Sequence, residues 1–163
     1  MEQQAACNGP LHLITVCVDS DAGSRMSGRI YHRFSNQPIL FLGVEGVLFS
    51  IEKLMDEWDY PQSTLKMRSF AGVSLHQRRK PGMARKAIND PLAHTGQDAT
   101  FVVHVKYRQN ATWQGTVTWA DKNEQQNFRS ALELLKLMDS AMDESLPPEQ
   151  EQTAEQGTAL ING

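Results

Sequence analysis

The side chains with the most obvious chemical potential are five histidines, two cysteines, a run of cations and a row of carboxylates. His12, His32 and His104 fall in strand-like text, whereas His76 and His94 fall in a stretch punctuated by Pro and Gly. No pair has the short spacing of a metal-binding helix or loop, and Cys7 and Cys17 do not join them. The expectation is therefore no metal and no cofactor, with His32 serving as a packing residue that carries a polar tip. A Gly-x-Ser-x-Gly elbow, a Gly-rich phosphate loop and a paired-cysteine redox motif are all missing. Glu45, Glu52, Asp56 and Glu57 share the polar side of one helical pattern, which reads as a solvated face rather than a pair of acid–base catalysts. The sequence thus reads as non-catalytic. A site assembled from distant residues would have to show itself as a cleft holding a titratable group with a displaced pKa.

Cations give the clearest partner signal. Arg78, Arg79, Lys80, Arg85 and Lys86 place five positive charges within nine residues, a density that could track a phosphate backbone. No aromatic residue interleaves with them, so stacking on bases would have to come from Trp113 or Trp119. A solvated loop and an acidic protein partner fit the same residues. A second candidate surface runs along Trp113, Gln114 and Thr116, with Thr112 and Thr118 on the same side and a strand edge that could pair with another chain.

The totals narrow the setting. A formal charge of −3, 40 % hydrophobic and 21 % charged residues describe an ordinary globular protein. Charge is uneven: residues 62–98 carry a net +5 and residues 143–163 a net −5. The two segments could attract each other or meet separate partners. Two cysteines make no disulfide framework, so a reducing cytoplasm is expected. No basic start with an apolar core announces a signal peptide, and the longest apolar run, from Pro38 to Val44, is too short to span a bilayer.

These residues need elements to hold them. Residues 1–10 read as a flexible leader. Leu11 to Val18 and Gly28 to Phe34 read as strands, and Pro38 to Leu42 as a short third one with Pro38 as its first residue. Val44, Val47, Leu48, Ile51, Leu54, Met55 and Trp58 recur at helical spacing, and Pro61 ends that helix. Thr64 to Phe70 reads as a further strand, completing a first half over 11–70. Residues 71–98 have no periodicity and read as a long basic loop or linker. In 99–145, Phe101, Val103, Val105 and Tyr107 alternate with His104, Lys106 and Arg108. Gln109 to Thr112 breaks the pattern, and Trp113 to Trp119 resumes it as a second strand. Ser130-Ala131-Leu132-Glu133 then has capping-box spacing, with Glu133 expected to reach back to the N–H of Ser130. Leu132, Leu135, Met138 and Met142 are expected to form the buried face of the helix it opens. Residues 146–163, rich in Glu and Gln, read as a disordered acidic tail.

The two halves also resemble each other. A constant shift that lays Gly28 on Gly115 also lays Val16 on Val103, Phe41 on Phe128, Met55-Asp56-Glu57 on Met142-Asp143-Glu144, and Pro61 on Pro148. It places His32 on Trp119 and Gly43 on Ser130. Each half alone would bury little. The expected fold is therefore α+β: two pseudo-repeated ββ(β)α halves, with antiparallel strands in one shared sheet or in facing sheets, and two amphipathic helices. The same β–β–α logic in two unrelated segments would give a similar text.

From Phe101 to Met142 the chain resembles the core of HicB-type antitoxins. The shared features are two antiparallel strands, a glycine in the second (Gly115), and a helix that opens Ser/Thr-x-x-Glu-apolar (Ser130 to Leu134). It also resembles small bacterial proteins in which a Trp-x-Gly strand (Trp113 to Gly115) precedes a Phe-Arg-Ser helix start (Phe128 to Ser130). The chain departs from the antitoxin pattern in showing no helix-turn-helix or ribbon–helix–helix element after that helix. The resemblance implies a bacterial, non-catalytic binding module that inhibits or regulates a protein partner, and it assigns no site residue. The main expectation is thus a protein–protein interaction or inhibitory module, with self-association allowed. Nucleic-acid binding through residues 76–86 is the alternative.

Overall fold

The computed structural model describes residues 9–20, 25–63, 70, 85–110 and 112–145. Strands β1 (Ile14–Ser20), β2 (Ser27–His32) and β3 (Ser35–Leu42) lead directly into helix α1 (Gly43–Trp58). Strands β4 (Ala99–Tyr107), β5 (Gln114–Trp119) and β6 (Glu124–Phe128) then lead into helix α2 (Ala131–Ser145). All six strands form one sheet in the order β3-β2-β1-β4-β5-β6, with every neighbouring pair antiparallel. The chain is α+β, and of the two expected arrangements it takes the shared sheet.

Alternation along the strands decides which residues meet the helices. Ile14, Val16, Val18, Ile30, Phe41, Phe101, Val103, Val105, Val117, Trp119 and Phe128 share one buried cluster with residues of both helices, so both helices lie on one face of the sheet. On α1 the buried stripe is Gly43, Val47, Ile51, Leu54 and Met55, close to the expected spacing. On α2 it is Leu134, Met138, Ala141 and Met142, whereas Leu132 is exposed. The expected stripe holds at Met138 and Met142, is half-buried at Leu135 and fails at Leu132. Leu134, Met138 and Ala141 follow i, i+4, i+7, and Leu132 projects from nearly the opposite side.

Ladder register recurs between the two triplets of strands. Ile14 pairs with His32, and Phe101 pairs with Trp119; Val18 pairs with Gly28, and Val105 with Gly115. Gly28 pairs with Phe41, and Gly115 with Phe128. At the centre Thr15 pairs with Val102, flanked by Ile14 with Val103 and Val16 with Phe101. Both glycines meet a carbonyl of the neighbouring strand: a Cβ at Gly28 would collide with the oxygen of Cys17, and one at Gly115 with the oxygen of His104. Only glycine permits that approach.

Several expectations need correction. The second half contains a third strand, β6, whose sequence Glu124-Gln125-Gln126-Asn127-Phe128 lacks apolar alternation because four of its five residues are exposed. β3 begins at Ser35, so Pro38 lies inside it. An edge position tolerates this, because the missing N–H can face outward. Arg33 and Phe34 belong to the β2–β3 turn rather than to a strand. A register shift between Val105 and Tyr107 reverses the end of β4: Tyr107 is exposed and Arg108 is buried, the expected effect of a bulge on alternation. Residues 85–98 are not a free loop, since they lie against the sheet and include a 3-10 turn at Pro91–Ala93. The strand expected at Thr64 to Phe70 falls outside the described residues apart from Phe70, an exposed turn residue. Residues 1–8, 71–84 and the tail from 146 onward are also outside them.

Candidate functional site: an apolar sheet edge and its polar neighbours

Among the described residues β3 ends the sheet on one side, so one row of its backbone groups has no neighbouring strand there. Its eight residues, Ser35 to Leu42, carry no charge. Phe41 is buried and Ile39 packs against the core, so alternation turns Leu40 and Leu42 to the face away from α1. Leu40 is 75 % exposed and Leu42 57 % exposed. The facing residue of Leu40 on β2 is Arg29, whose Nε and Nη2 donate to the two carboxylate oxygens of Asp19 at 2.7 and 2.9 Å. That hydrogen-bonded pair lowers the pKa of Asp19 and gives the leucines a polar border. Soluble proteins usually blunt a free edge with charge. Here the edge is uncharged, and its exposed residues are Asn36, Gln37, Leu40 and Leu42. The opposite edge, β6, is polar throughout its exposed residues and includes Glu124.

Behind this edge, residues 85–98 cover the face of β1 and β2. The ring of His94 stacks on Tyr31 at 3.7 Å with an interplanar angle of 1°, and Asn89 Oδ1 lies 3.2 Å from His94 Nε2. Asn89 Nδ2 donates to the carbonyl of His32, Gln97 N–H donates to Asp19, and Asp98 N–H donates to the carbonyl of Val18. Cys17 beneath is fully buried, and burial pushes its thiol pKa up to about 11, so the thiol is not a nucleophile at neutral pH.

The expected contact residues fall in different places. Arg78, Arg79 and Lys80 lie outside the described residues. Arg85 and Lys86 are exposed, and Arg85 Nη2 donates to the carbonyl of Glu57 near the end of α1 at 2.8 Å. β5 lies between β4 and β6, so the hairpin edge proposed for pairing is occupied within the chain. Thr116 is buried and Gln114 half-buried. Trp113 is engaged internally, its indole N–H donating to Glu52 Oε2 at 2.9 Å. Glu52 and Asp56 are correspondingly not a plain solvated face. Both reach Arg108, whose Nη2 lies 2.8 Å from Asp56 and 3.7 Å from Glu52. The link was hidden because Arg108 faces inward only through the bulge in β4.

His12, His32, Phe34, Trp58 and Tyr60 gather at the end of α1. His12 stacks on Tyr60 at 4.1 Å, and Trp58 lies 5.4 Å from each of the two histidines. Burial lowers the pKa of both, so the rings are neutral and act in packing. A cleft of about 420 Å³ opens between the start of α1 and α2, lined by Arg25, Met26, Val44, Glu45, Leu135 and Asp139 among others. The groups with displaced pKa values, His12, Cys17, Asp19, Arg29, His32 and His104, lie elsewhere. Among the described residues no group of three or more His, Cys, Asp or Glu is placed to hold a metal ion. No described helix is long and apolar enough to cross a membrane. No family model, curated protein or solved structure matches the chain.

Proposed function

We propose that this chain is a non-catalytic module that docks another protein through the β3 edge. The observation that carries the reading is the uncharged free strand with Leu40 and Leu42 turned outward. An extended segment of a partner can take up the open N–H and C=O groups beyond Pro38, where the strand runs Ile39 to Leu42, while the two leucines provide apolar contact at alternate positions. An inhibitory or regulatory role follows from the resemblance of Phe101 to Met142 to HicB-type antitoxins, and bacterial origin rests on the same likeness. The repeated ladder register and the paired glycines support descent of the two βββα units from one ancestor, which left the sheet with two outer edges of different character.

The test is replacement of Leu40 and Leu42 by Lys, which charges the edge without touching the core. Affinity capture from a native extract, with and without nuclease, should recover a protein partner that survives digestion. The double variant should bind that partner at least tenfold more weakly, about 1.4 kcal/mol, while its circular dichroism stays unchanged. Retention at wild-type strength would refute docking at β3. Partners lost on nuclease treatment, and lost again when Arg78, Arg79, Lys80, Arg85 and Lys86 become Ala, would establish the nucleic-acid alternative instead.

A further inference from the structure

Arg33 is the largest fully buried side chain among the described residues, and it has 0 % exposure. Among the described residues none of its three side-chain nitrogens, Nε, Nη1 or Nη2, has a hydrogen-bond partner. Two other guanidinium groups have carboxylate partners: the partly exposed Arg29 meets both oxygens of Asp19, and the buried Arg108 meets Asp56 and Glu52 through Nη2, with only its Nη1 unpartnered among the described residues. A guanidinium removed from water without an acceptor is among the costlier groups a protein can bury. Its place is nonetheless well fixed. Its backbone carbonyl accepts from the N–H groups of both Ile88 and Asn89, at 2.7 and 3.0 Å. Gly9 lies against the guanidinium in a backbone conformation, φ +137°, that suits glycine, and a Cβ there would stand 3.4 Å from Nη2. In the strand beside it Thr15 Oγ1 is likewise buried and unpartnered.

From these observations we infer that Arg33 is the receptor for a small oxyanion, a carboxylate or phosphate group that takes two oxygens onto the guanidinium fork. Five N–H donors in one plane match the spacing of two such oxygens, and the pair is strongest where water is excluded. Glycine at position 9 keeps a β-carbon away from Nη2, which one there would approach to 3.4 Å. A carboxylate would come from an organic acid or an acidic side chain of a partner, and a phosphate from a free ion or a phosphorylated group. The site is separate from the β3 edge and does not depend on docking there.

The experiment is titration of the full chain with inorganic phosphate and, separately, with acetate at constant ionic strength, followed in nitrogen-15 spectra by the Arg33 Nε–H resonance in the wild type and, in the wild type and every variant, by the backbone amide resonances of Ile88 and Asn89, which donate to the carbonyl of residue 33. The expected result is a saturable shift with at least one of the two, and which one responds identifies the oxyanion class. Arg33→Lys keeps the charge but loses the fork, so its midpoint should rise at least tenfold; Arg33→Gln should abolish the response. If the Gln variant does not fold, the wild-type resonance and the Lys variant decide the matter. No saturable shift with either anion, or an unchanged midpoint in Arg33→Lys, overturns the assignment.

Discussion

Burial lowers the pKa values of His12, His32 and His104, with neighbouring positive charge from His104, Arg85 and Lys106, respectively, adding to it. An unfolded histidine titrates near 6.5. Below that pH the unfolded chain therefore binds more protons than the native one, and stability falls as pH drops from about 6.5 toward the lower native values. Asp19 is shifted in the same direction but acts at lower pH: its lowered native pKa stabilises the fold above the unfolded carboxyl value near 3.9, and that contribution is lost only as pH falls below it. Urea midpoints should accordingly decline between pH 7 and pH 5, with a second decline below pH 4. His32→Asn should flatten the first step, and a midpoint that stays level from pH 7 to pH 5 would contradict the histidine account. Cys17 gives a further check at this scale. In a Cys7→Ser variant at pH 7.5, thiol reagents should label the native protein only at the rate of its unfolding, because the remaining thiol is enclosed and protonated.

At the scale of elements, α2 begins with a capping box whose details differ from the simple pattern. Ser130 Oγ accepts from the N–H of Glu133 at 3.0 Å, as its spacing implies. The Glu133 carboxylate accepts from the N–H of Arg129 at 2.7 Å rather than from that of Ser130, because the chain enters the helix from the end of β6. Ser130→Ala should cost about 1 kcal/mol, a loss of about 2–4 °C in melting temperature. α1 is tied to the β4–β5 hairpin by Glu52, Asp56, Arg108 and Trp113. Removing both carboxylates, as Glu52→Gln with Asp56→Asn, strands a guanidinium that is only 4 % exposed. That double change should destabilise by about 2–3 kcal/mol, a figure below the usual cost for a fully buried pair because Asp56 is half-exposed. Arg108→Met should cost less than the double change, since it leaves two carboxylates that can reach water. Equal losses in urea unfolding would show that the contact is mainly packing.

Over the whole molecule, β1 and β4 form the central ladder, and one cluster of buried side chains draws on all six strands and both helices. Neither βββα unit has a core of its own. A chain cut between residues 63 and 85 should therefore fold only when both pieces are present, with circular dichroism of each piece alone showing no cooperative melting. Independent cooperative unfolding of either piece would contradict the single core. The same architecture concentrates surface character at its margins: an uncharged edge with two outward leucines at β3, a polar edge at β6, and one sheet face beside β1 and β2 covered by residues 85–98.

Local pattern was enough to establish the α+β class, the span of α1, the paired glycines and the Ser130–Glu133 cap. Each of those depends on residues within a few positions of one another, or on a spacing that sterics enforce. It was not enough to find β6, because an exposed edge strand needs no apolar alternation. It also gave Tyr107 and Arg108 the wrong sides, because the bulge that exchanges them is set by pairing with β5. Strand order, the exposure of Leu40 and Leu42, the convergence of Glu52 and Asp56 on Arg108, and the enclosure of Arg33 arise from contacts between residues far apart in the chain. Which edge is left open and which charge is left without a partner are properties of packing, and only the assembled sheet decides them.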